Sequence, residues 1–115
     1  MNLYDENLHA EKDQLHFGLF DGRENLVACV IAAGQSPTET KIRQMAVAPE
    51  EQGKGYGRTL LESVESVLSA RGVTNLSMHA RKTAAGFYAT LGYMTYGNDF
   101  IEVGLPHVEM RKRLT

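Results

Sequence analysis

The alternation of hydrophobic and polar residues predicts six strands and two helices. Short runs that are apolar throughout, or that alternate with polar residues, are typical of strands. They occur at 15–20, 26–33, 40–47, 76–80, 93–96 and 108–114. Two runs with helical spacing predict helices over 57–70 and 83–91. Residues 1–14 are polar and show no period, so they are predicted to form an N-terminal arm or loop.

The helix predicted over 57–70 carries one apolar stripe. Its members recur at the spacing of a helix face: Leu60, Leu61, Val64, Val67 and Leu68. Arg71 and Gly72 follow, and a cation and a glycine are common where helices end. The shorter helix has Thr83 as a candidate N-cap and Gly92 at its end.

The strand predicted over 40–47 changes phase in its middle. Its apolar residues are Ile42, then Met45 and Val47, so strict alternation breaks between the first two. A one-residue slip of this kind is what a β-bulge produces. The alternative is that Gln44 and Ala46 simply face solvent and that the slip has no structural meaning.

The order of the elements predicts the fold class. A hairpin followed by strand, helix, strand, helix, strand and strand is typical of an α/β (α+β) chain with a mixed sheet. A loop over 97–107 is predicted between the last two strands. At 115 residues, the chain is expected to form one domain over 1–115.

Composition excludes several classes of function. The net charge is −2 and the pI is about 6.1, so no basic footprint indicates nucleic acid. The longest apolar run, 26–33, is far too short for a membrane span. The first residues do not form a signal peptide, and a single cysteine fits a reducing compartment. These features predict a cytoplasmic protein.

A glycine-rich turn precedes the long helix. Three alternate glycines, Gly53, Gly55 and Gly57, separate it from the strand that ends at Val47. Glycine lets the backbone adopt positive φ and approach a ligand, and the free N–H groups at a helix start bind anions. The turn therefore predicts a phosphate site, with a plain capped turn as the alternative. Neither the nucleotide P-loop spacing nor the dinucleotide fingerprint is present.

Three motifs resemble those of the GNAT superfamily of N-acetyltransferases. Gln52-x-x-Gly55-x-Gly57 resembles its acyl-CoA signature, Q/R-x-x-G-x-G/A. The run from Phe87 to Tyr93 is similar to the family's F-Y-x-x-x-G-F/Y. The run from Glu102 to Met110 resembles E-x-G-I-P-H-x-x-M, the ending of a subgroup of small members. The resemblance covers residues 15–115.

The resemblance implies a mixed, mostly antiparallel sheet flanked by two helices, and acetyl-CoA as the cofactor. The residues that it places at acetyl-CoA are Met45, Ala46, Val47, Gln52, Gly53, Lys54, Gly55, Tyr56, Gly57, Arg58, Thr59, Phe87 and Tyr88. It also implies that Tyr88 donates a proton to the departing CoA thiolate. The alternative for Tyr88 is an aromatic residue packed on the core face of its helix.

The base that would deprotonate an acceptor amine has three candidates: His79, Glu102 and His107. His79 alternates with the core residues of its strand and could face a cleft, or it could be an exposed strand histidine. The other two lie in the loop over 97–107, where the subgroup has a pocket. His107 could equally be a solvated residue at a strand start. No metal site is expected, because the histidines lack ligand spacing.

The N-terminus departs from the family pattern. Members usually begin with a strand and two helices that wall the acceptor site, and only 14 residues precede the first predicted strand. The chain is therefore expected to lack that strand and those helices. An uncovered sheet edge would favour a homodimer. The resemblance implies an N-acetyltransferase acting on an amine of a small molecule or peptide. The alternative is a CoA- or acyl-CoA-binding module without turnover.

Overall fold

The computed structural model describes the backbone of residues 2–6 and all of residues 14–114. Within these residues the chain forms a sheet of seven strands, with one long and one short α-helix. The strands are β1 (Asn2–Glu6), β2 (Gln14–Phe20), β3 (Leu26–Gly34), β4 (Glu39–Val47), β5 (Asn75–Arg81), β6 (Met94–Glu102) and β7 (Leu105–Arg113). The helices are α1 (Tyr56–Ala70) and α2 (Ala85–Thr90), preceded by 3-10 turns at Pro49–Glu51 and Lys82–Ala84.

The sheet is mixed and mostly antiparallel, as predicted. Its strand order is β1-β2-β3-β4-β5-β7-β6. All neighbouring pairs run antiparallel except β4 and β5, which are parallel because α1 connects them across one face. No helix among the described residues is both long and apolar enough to cross a membrane.

The core lies between α1 and one face of the sheet. α1 packs on β2, β3 and β4, and four members of its predicted stripe are fully buried: Leu60, Leu61, Val64 and Leu68. They meet buried sheet residues such as Phe17, Val30 and Met110. The helix ends where predicted, because Gly72 adopts a φ of 94° that favours glycine.

The N-terminal segment corrects the prediction of an arm. Asn2–Glu6 forms a strand that pairs antiparallel with β2, from Asn2 opposite Phe20 to Glu6 opposite His16. An edge strand is held by backbone hydrogen bonds to a single neighbour, so it needs no regular apolar alternation. The expectation of a missing first strand is therefore wrong. No helix precedes β2 within the described residues, and 7–13 lie outside them.

The segment predicted as a loop over 97–107 is a hairpin. β6 continues to Glu102 and β7 begins at Leu105, with Val103 and Gly104 forming the turn at φ values of 50° and 73°. The pairing register of β6 shifts between Tyr96 and Phe100. This irregularity breaks the period-2 pattern that would have revealed the strand.

The start of the second helix also differs from the prediction. Thr83 lies inside the 3-10 turn Lys82–Ala84, and α2 begins at Ala85. Ala84 occupies the N-cap position, so no side chain caps the helix. The tight turn after β5 sets the helix start, and the threonine hydroxyl does not.

Candidate functional site

The parallel strands β4 and β5 separate in the middle of the sheet. Ile31 lies opposite Gln44 and Ala32 lies opposite Ile42, so Arg43 is an extra residue on β4. The predicted bulge is confirmed, and the alternative that the slip is meaningless is wrong. β4 pairs with β5 only from Glu39 to Ile42, whereas its pairing with β3 continues to Val47. The C-terminal half of β4 therefore borders a gap, and its backbone groups on that side have no strand partner.

The glycine-rich turn opens the start of α1 to a ligand. Gly53 and Gly55 have φ values of 82° and 83°, in the left-handed region that favours glycine. A Cβ at either position would meet no protein atom within 4 Å. The amides of Tyr56, Gly57 and Arg58 lie in the first turn of α1, where N–H groups lack helical acceptors. This arrangement suits an anion at the positive end of the helix dipole.

Polar side chains hold this turn in shape. Gln52 donates through Nε2 to the carbonyl oxygen of Val47 at 3.1 Å, which ties the turn to the end of β4. Thr59 donates through Oγ1 to the carbonyl oxygen of Gly55, also at 3.1 Å. The hydrogen bond from Lys54 Nζ to Glu51, at 3.0 Å, raises the pKa of that lysine. The predicted cofactor residue Gln52 thus acts on the backbone of the turn.

Gly57 has a packing role that the sequence pattern did not show. It lies inside α1, and a Cβ there would come within 2.9 Å of Met45 Cε and 3.4 Å of Phe87 Cζ. The missing side chain lets the helix start approach β4 and α2 closely. Three predicted cofactor-binding segments, from β4, α1 and α2, therefore meet at this point beside the gap.

Tyr88 faces the same region from α2. Its hydroxyl lies 3.7 Å from the sulfur of Met45, and its ring makes edge contacts with Phe87 and Tyr93. Burial raises the pKa of the Tyr88 phenol, so the hydroxyl carries its proton at neutral pH. The residue packs against the core, yet its hydroxyl reaches the strand that borders the gap. This position is compatible with both interpretations from the sequence, a proton donor and an aromatic residue packed on the core face of its helix.

The three candidate bases form one cluster on the opposite face of the sheet. His79 directly follows Met78, the last β5 residue paired with β4. Its neighbours Met78 and Ala80 are buried in the core cluster that includes the apolar residues of α1, so alternation places His79 on the other face. Glu102 Oε1 lies 2.9 Å from His79 Nδ1, and Glu102 Oε2 lies 3.7 Å from His107 Nε2.

This cluster lowers the pKa of the Glu102 carboxyl. The hydrogen bond with His79 is the main cause, and the charges of His79, His107 and Lys41 act in the same direction. Phe100 adds packing, with an edge contact to the His79 ring and a stacked contact to the His107 ring. The hairpin of β6 and β7, missed as a loop, brings Glu102 and His107 to His79.

The candidate site residues therefore lie on both faces of the sheet, on either side of the gap. The glycine turn and the Tyr88 hydroxyl lie on the helix face, and the His79 cluster lies on the other. A molecule threaded between β4 and β5 could meet an acid on one side and a base on the other. The arrangement suits transfer of a group across the gap.

One partly buried polar network was not found from the sequence. Glu65 of α1 accepts a hydrogen bond from Tyr93 Oη at 2.7 Å and one from Lys112 Nζ at 2.8 Å. Lys112 also donates to the carbonyl oxygen of Leu91 at 2.7 Å. In the sequence, a single glutamate on a helix resembles an ordinary solvent-facing residue, so only the folded structure reveals this network. An open surface groove lined by Glu65, Lys112 and their neighbours lies beside it, away from the gap.

Comparison with known sequences identifies relatives over most of the chain. The sequence profile described as Acetyltransferase (GNAT) domain matches residues 2–114. The uncharacterized Bacillus subtilis protein YyaT is 31% identical over 75 residues, which cover 65% of this chain and 51% of YyaT. An uncharacterized acetyltransferase of Streptococcus pyogenes is 35% identical over 78 residues, 64% of this chain and 53% of the relative. The chain spans about half the length of these curated relatives.

Solved structures show the same fold. A GNAT family acetyltransferase from Elizabethkingia anophelis, with acetyl-CoA bound, superposes with a TM-score of 0.79 at 13% identity, covering 98% of this chain and 97% of that one. The ribosomal-protein-S18-alanine N-acetyltransferase from Escherichia coli superposes with a TM-score of 0.78 at 24% identity, covering 92% and 72%. The fold agrees with the profile match over nearly the whole sequence. The chain therefore belongs to the GNAT acetyltransferase family.

Proposed function

We propose that the protein transfers an acetyl group from acetyl-CoA to an amine of a small molecule or peptide. The observation that carries this proposal is the gap between β4 and β5, which begins where their pairing ends at Ile42 and Met78. The glycine turn adjoins one face of the gap and the His79 cluster adjoins the other. Family membership supports acetyl transfer as the reaction, because the profile matches residues 2–114.

In this proposal the pyrophosphate of CoA binds at the turn and at the first amides of α1. The open space beside Gly53 and Gly55 supports this placement. The N–H groups at the start of α1, which have no helical acceptor, support it as well. Lys54, Arg58 and Thr59 follow the glycines closely in sequence, and the two cations would turn from their ion pairs with Glu51 and Glu62 toward the phosphates. The pantetheine would follow β4 past Met45, Ala46 and Val47, with Phe87 and Tyr88 on its other side. A GNAT relative has been solved with acetyl-CoA bound.

The residues around the gap supply the parts that acyl transfer needs. A backbone N–H of β4 near Met45 to Val47 would polarise the thioester carbonyl. A base in the cluster of His79, Glu102 and His107 would take the proton of the attacking amine. Tyr88 would donate its phenolic proton as the carbon–sulfur bond breaks. Once the base has released its proton to solvent and Tyr88 has regained one, the net result is an amide and free CoA, with one proton lost from nitrogen and one gained by sulfur.

A binding module without turnover is the second candidate. It is favoured by the outer face of the sheet, where no helix walls the His79 cluster within the described residues. Such a module would use the same turn and gap to hold CoA or acyl-CoA. The two candidates differ only in whether an amine reaches the cluster and reacts.

An amine panel separates the two candidates. The protein would be incubated with acetyl-CoA and with polyamines, arylalkylamines, aminoglycosides and peptide N-termini, and thiol release would be followed. Binding of acetyl-CoA would be verified by calorimetry on the same preparation. Amine-dependent thiol release supports the transferase. Tight binding without release over the whole panel supports the module, and absence of binding contradicts both.

We also propose that the protein is a homodimer of the cytoplasm. β1 and β6 are the two outer strands of the sheet, and an edge strand invites pairing with a second copy. Exposed apolar side chains on β6, including Met94 and Ile101, support association at that edge. Light scattering at micromolar concentration tests the assembly. A monomer of 12.7 kDa would contradict it.

A further inference from the structure

The two histidines of the His79 cluster differ in which ring nitrogen is free to accept a proton. Glu102 of β6 lies between His79 of β5 and His107 of β7, so three strands contribute to one contact. Each imidazole has two nitrogens, and a neutral ring carries a proton on only one of them. The partners of these nitrogens therefore decide which ring has an atom free to accept a proton.

His107 is unsuited to deprotonate an amine. Its Nδ1 lies 2.8 Å from the carbonyl oxygen of Leu105. A carbonyl can only accept a hydrogen bond, so Nδ1 carries the proton. The remaining nitrogen, Nε2, faces Glu102 at 3.7 Å, and only 9% of the side chain is exposed. An acceptor amine therefore has little access to this ring.

His79 has the complementary arrangement. Its Nδ1 lies 2.9 Å from Glu102 Oε1, and an ionised carboxylate can only accept, so this nitrogen also carries a proton. Nε2 has no hydrogen-bond partner within the described residues, and 30% of the side chain is exposed. The edge contact with Phe100, at 4.9 Å between ring centroids, fixes the ring plane.

We propose that His79 Nε2 is the base of the transfer reaction and that Glu102 is its positioning residue. This inference rests on the proposed function. As the amine nitrogen bonds to the thioester carbon, its proton moves to Nε2 and leaves an imidazolium whose Nδ1–H still donates to Glu102. The imidazolium later loses that proton to solvent. The departing sulfur takes its proton from Tyr88 on the other face of the sheet, and the Tyr88 phenolate regains a proton from solvent.

Other charged groups lie near His79 and Glu102, and their effects must be distinguished from those of this pair. Glu109 lies opposite His79 in the strand register, but it is paired with Arg111. Arg81 lies opposite His107, and Lys41 of β4 acts on Glu102 through its charge. Within the described residues, no group of three His, Cys, Asp or Glu side chains could hold a metal ion. The cluster is therefore tested as a proton-transfer site.

The test compares Glu102→Gln with Glu109→Gln in the full chain. Glu109 is a matched control, because it faces His79 from the adjacent strand without a hydrogen bond to it. Nitrogen-15 spectra of the histidine rings report which nitrogen carries the proton. In the parent protein we expect neutral His79 to be protonated at Nδ1 alone. Glu102→Gln should give a mixture of tautomers, and Glu109→Gln should leave the spectrum unchanged.

The kinetic arm measures kcat/KM with acetyl-CoA and a reactive amine. Glu102→Gln should lower kcat/KM at least about tenfold, because the ring is no longer held with Nδ1 protonated and Nε2 free to accept the proton. Glu109→Gln should leave kcat/KM unchanged. His79→Gln should lower kcat about 10²-fold or more while the calorimetric affinity for acetyl-CoA is retained.

Two results would overturn the proposal, and a third would overturn its foundation. An unchanged His79 tautomer in Glu102→Gln would show that the carboxylate does not position the ring. An unchanged kcat/KM in Glu102→Gln would show that the pair does not act as the base. Absence of turnover in the parent protein, with acetyl-CoA bound, would instead contradict the proposed function, and the nitrogen spectra would still decide the tautomer.

Discussion

At the scale of single residues, burial and hydrogen bonding decide what each candidate side chain can do. Tyr88 is half-buried with its hydroxyl 3.7 Å from the Met45 sulfur, and burial raises the pKa of its phenol. His79 has an unpartnered nitrogen within the described chain, whereas both His107 nitrogens face acceptors. The resemblance had already implied Tyr88 as the acid, and these differences support the proposal that His79, rather than His107, is the base.

Tyr88→Phe tests the acid at this scale. The substitution removes the hydroxyl and keeps the ring packing, so we expect turnover to fall at least about tenfold. Acetyl-CoA affinity should stay within about threefold, because a proton donor acts in the transition state. Tyr96→Phe is the control, since Tyr96 is exposed and contacts Arg111 on the outer face. Unchanged turnover in Tyr88→Phe would remove the residue from the mechanism.

The buried phenols also predict a stability limit at alkaline pH. Burial raises the pKa of Tyr88, and burial with the Glu65 hydrogen bond raises that of Tyr93. A folded-state pKa above the unfolded value of about 10 stabilises the fold below that pH. This contribution declines as the pH rises further. Urea unfolding between about pH 8 and pH 11 should show the decline, and Tyr93→Phe should reduce its slope. A pH-independent free energy of unfolding would contradict this.

At the scale of elements, the bulge in β4 creates the gap. Arg43 is the extra residue that turns the end of the strand away from β5. Deleting Arg43 should restore a continuous register and let β4 pair further with β5, which would close the gap. We expect acetyl-CoA affinity to fall at least about tenfold, or about 1.4 kcal/mol, with the fold retained. Arg43→Ala keeps the bulge and should bind normally. Equal calorimetric affinity after the deletion would show that the gap is not needed.

The glycine turn gives a second prediction for an element. Gly55→Asp places a carboxylate and a strained φ where phosphate would bind, so affinity for acetyl-CoA should fall at least about tenfold. Gly97→Asp is the matched control, because Gly97 has a φ of 76° and no protein atom within 4 Å of a built Cβ. Both variants bear similar strain, but Gly97 lies on the outer strand β6. Equal loss of affinity in the two would point to strain rather than to the phosphate site.

The elements that sequence could predict are those whose pattern reflects burial on one face. The α1 stripe and the phase slip at Ile42 and Met45 both report contact with the core, and both appear in the structure. β1 could not be predicted because it is an outer strand that pairs with β2 alone, and its sequence shows no regular alternation of apolar and polar residues. The prediction for β6 ended too early because the register shift and the exposure of this outer strand leave no regular alternation. The partners of His79 depended on that missed hairpin.

At the scale of the whole molecule, the network around Glu65 joins the parts that frame the site. The carboxylate connects α1 to Tyr93 and to Lys112 of β7, and Lys112 reaches the end of α2 at Leu91. Both charged partners are largely shielded, with side-chain exposures of 12% for Glu65 and 25% for Lys112. The network therefore fixes α2, and with it Tyr88, relative to the sheet.

Glu65→Gln tests how much the network around Glu65 contributes to stability. Loss of the carboxylate leaves Lys112 shielded without its counter-charge, so we expect the free energy of unfolding to fall by about 1–3 kcal/mol. Urea denaturation of Glu65→Gln, Lys112→Met and the double variant would give the coupling between them. Glu62→Gln is the control, because Glu62 is exposed and makes only a 3.4 Å contact with Arg58. Additive effects in the cycle would contradict a joint network.

The central claim is that the acetyl group is transferred through the gap between β4 and β5. A crystal structure of the protein with acetyl-CoA bound tests this most directly. The pyrophosphate should lie at the amides of Tyr56 to Arg58, and the thioester should lie between the two strands. Tyr88 Oη should lie on the sulfur side, and His79 Nε2 should face the carbonyl carbon from the opposite face. A thioester outside the gap, or β4 and β5 paired to their ends, would show that the acetyl group is not transferred through the gap.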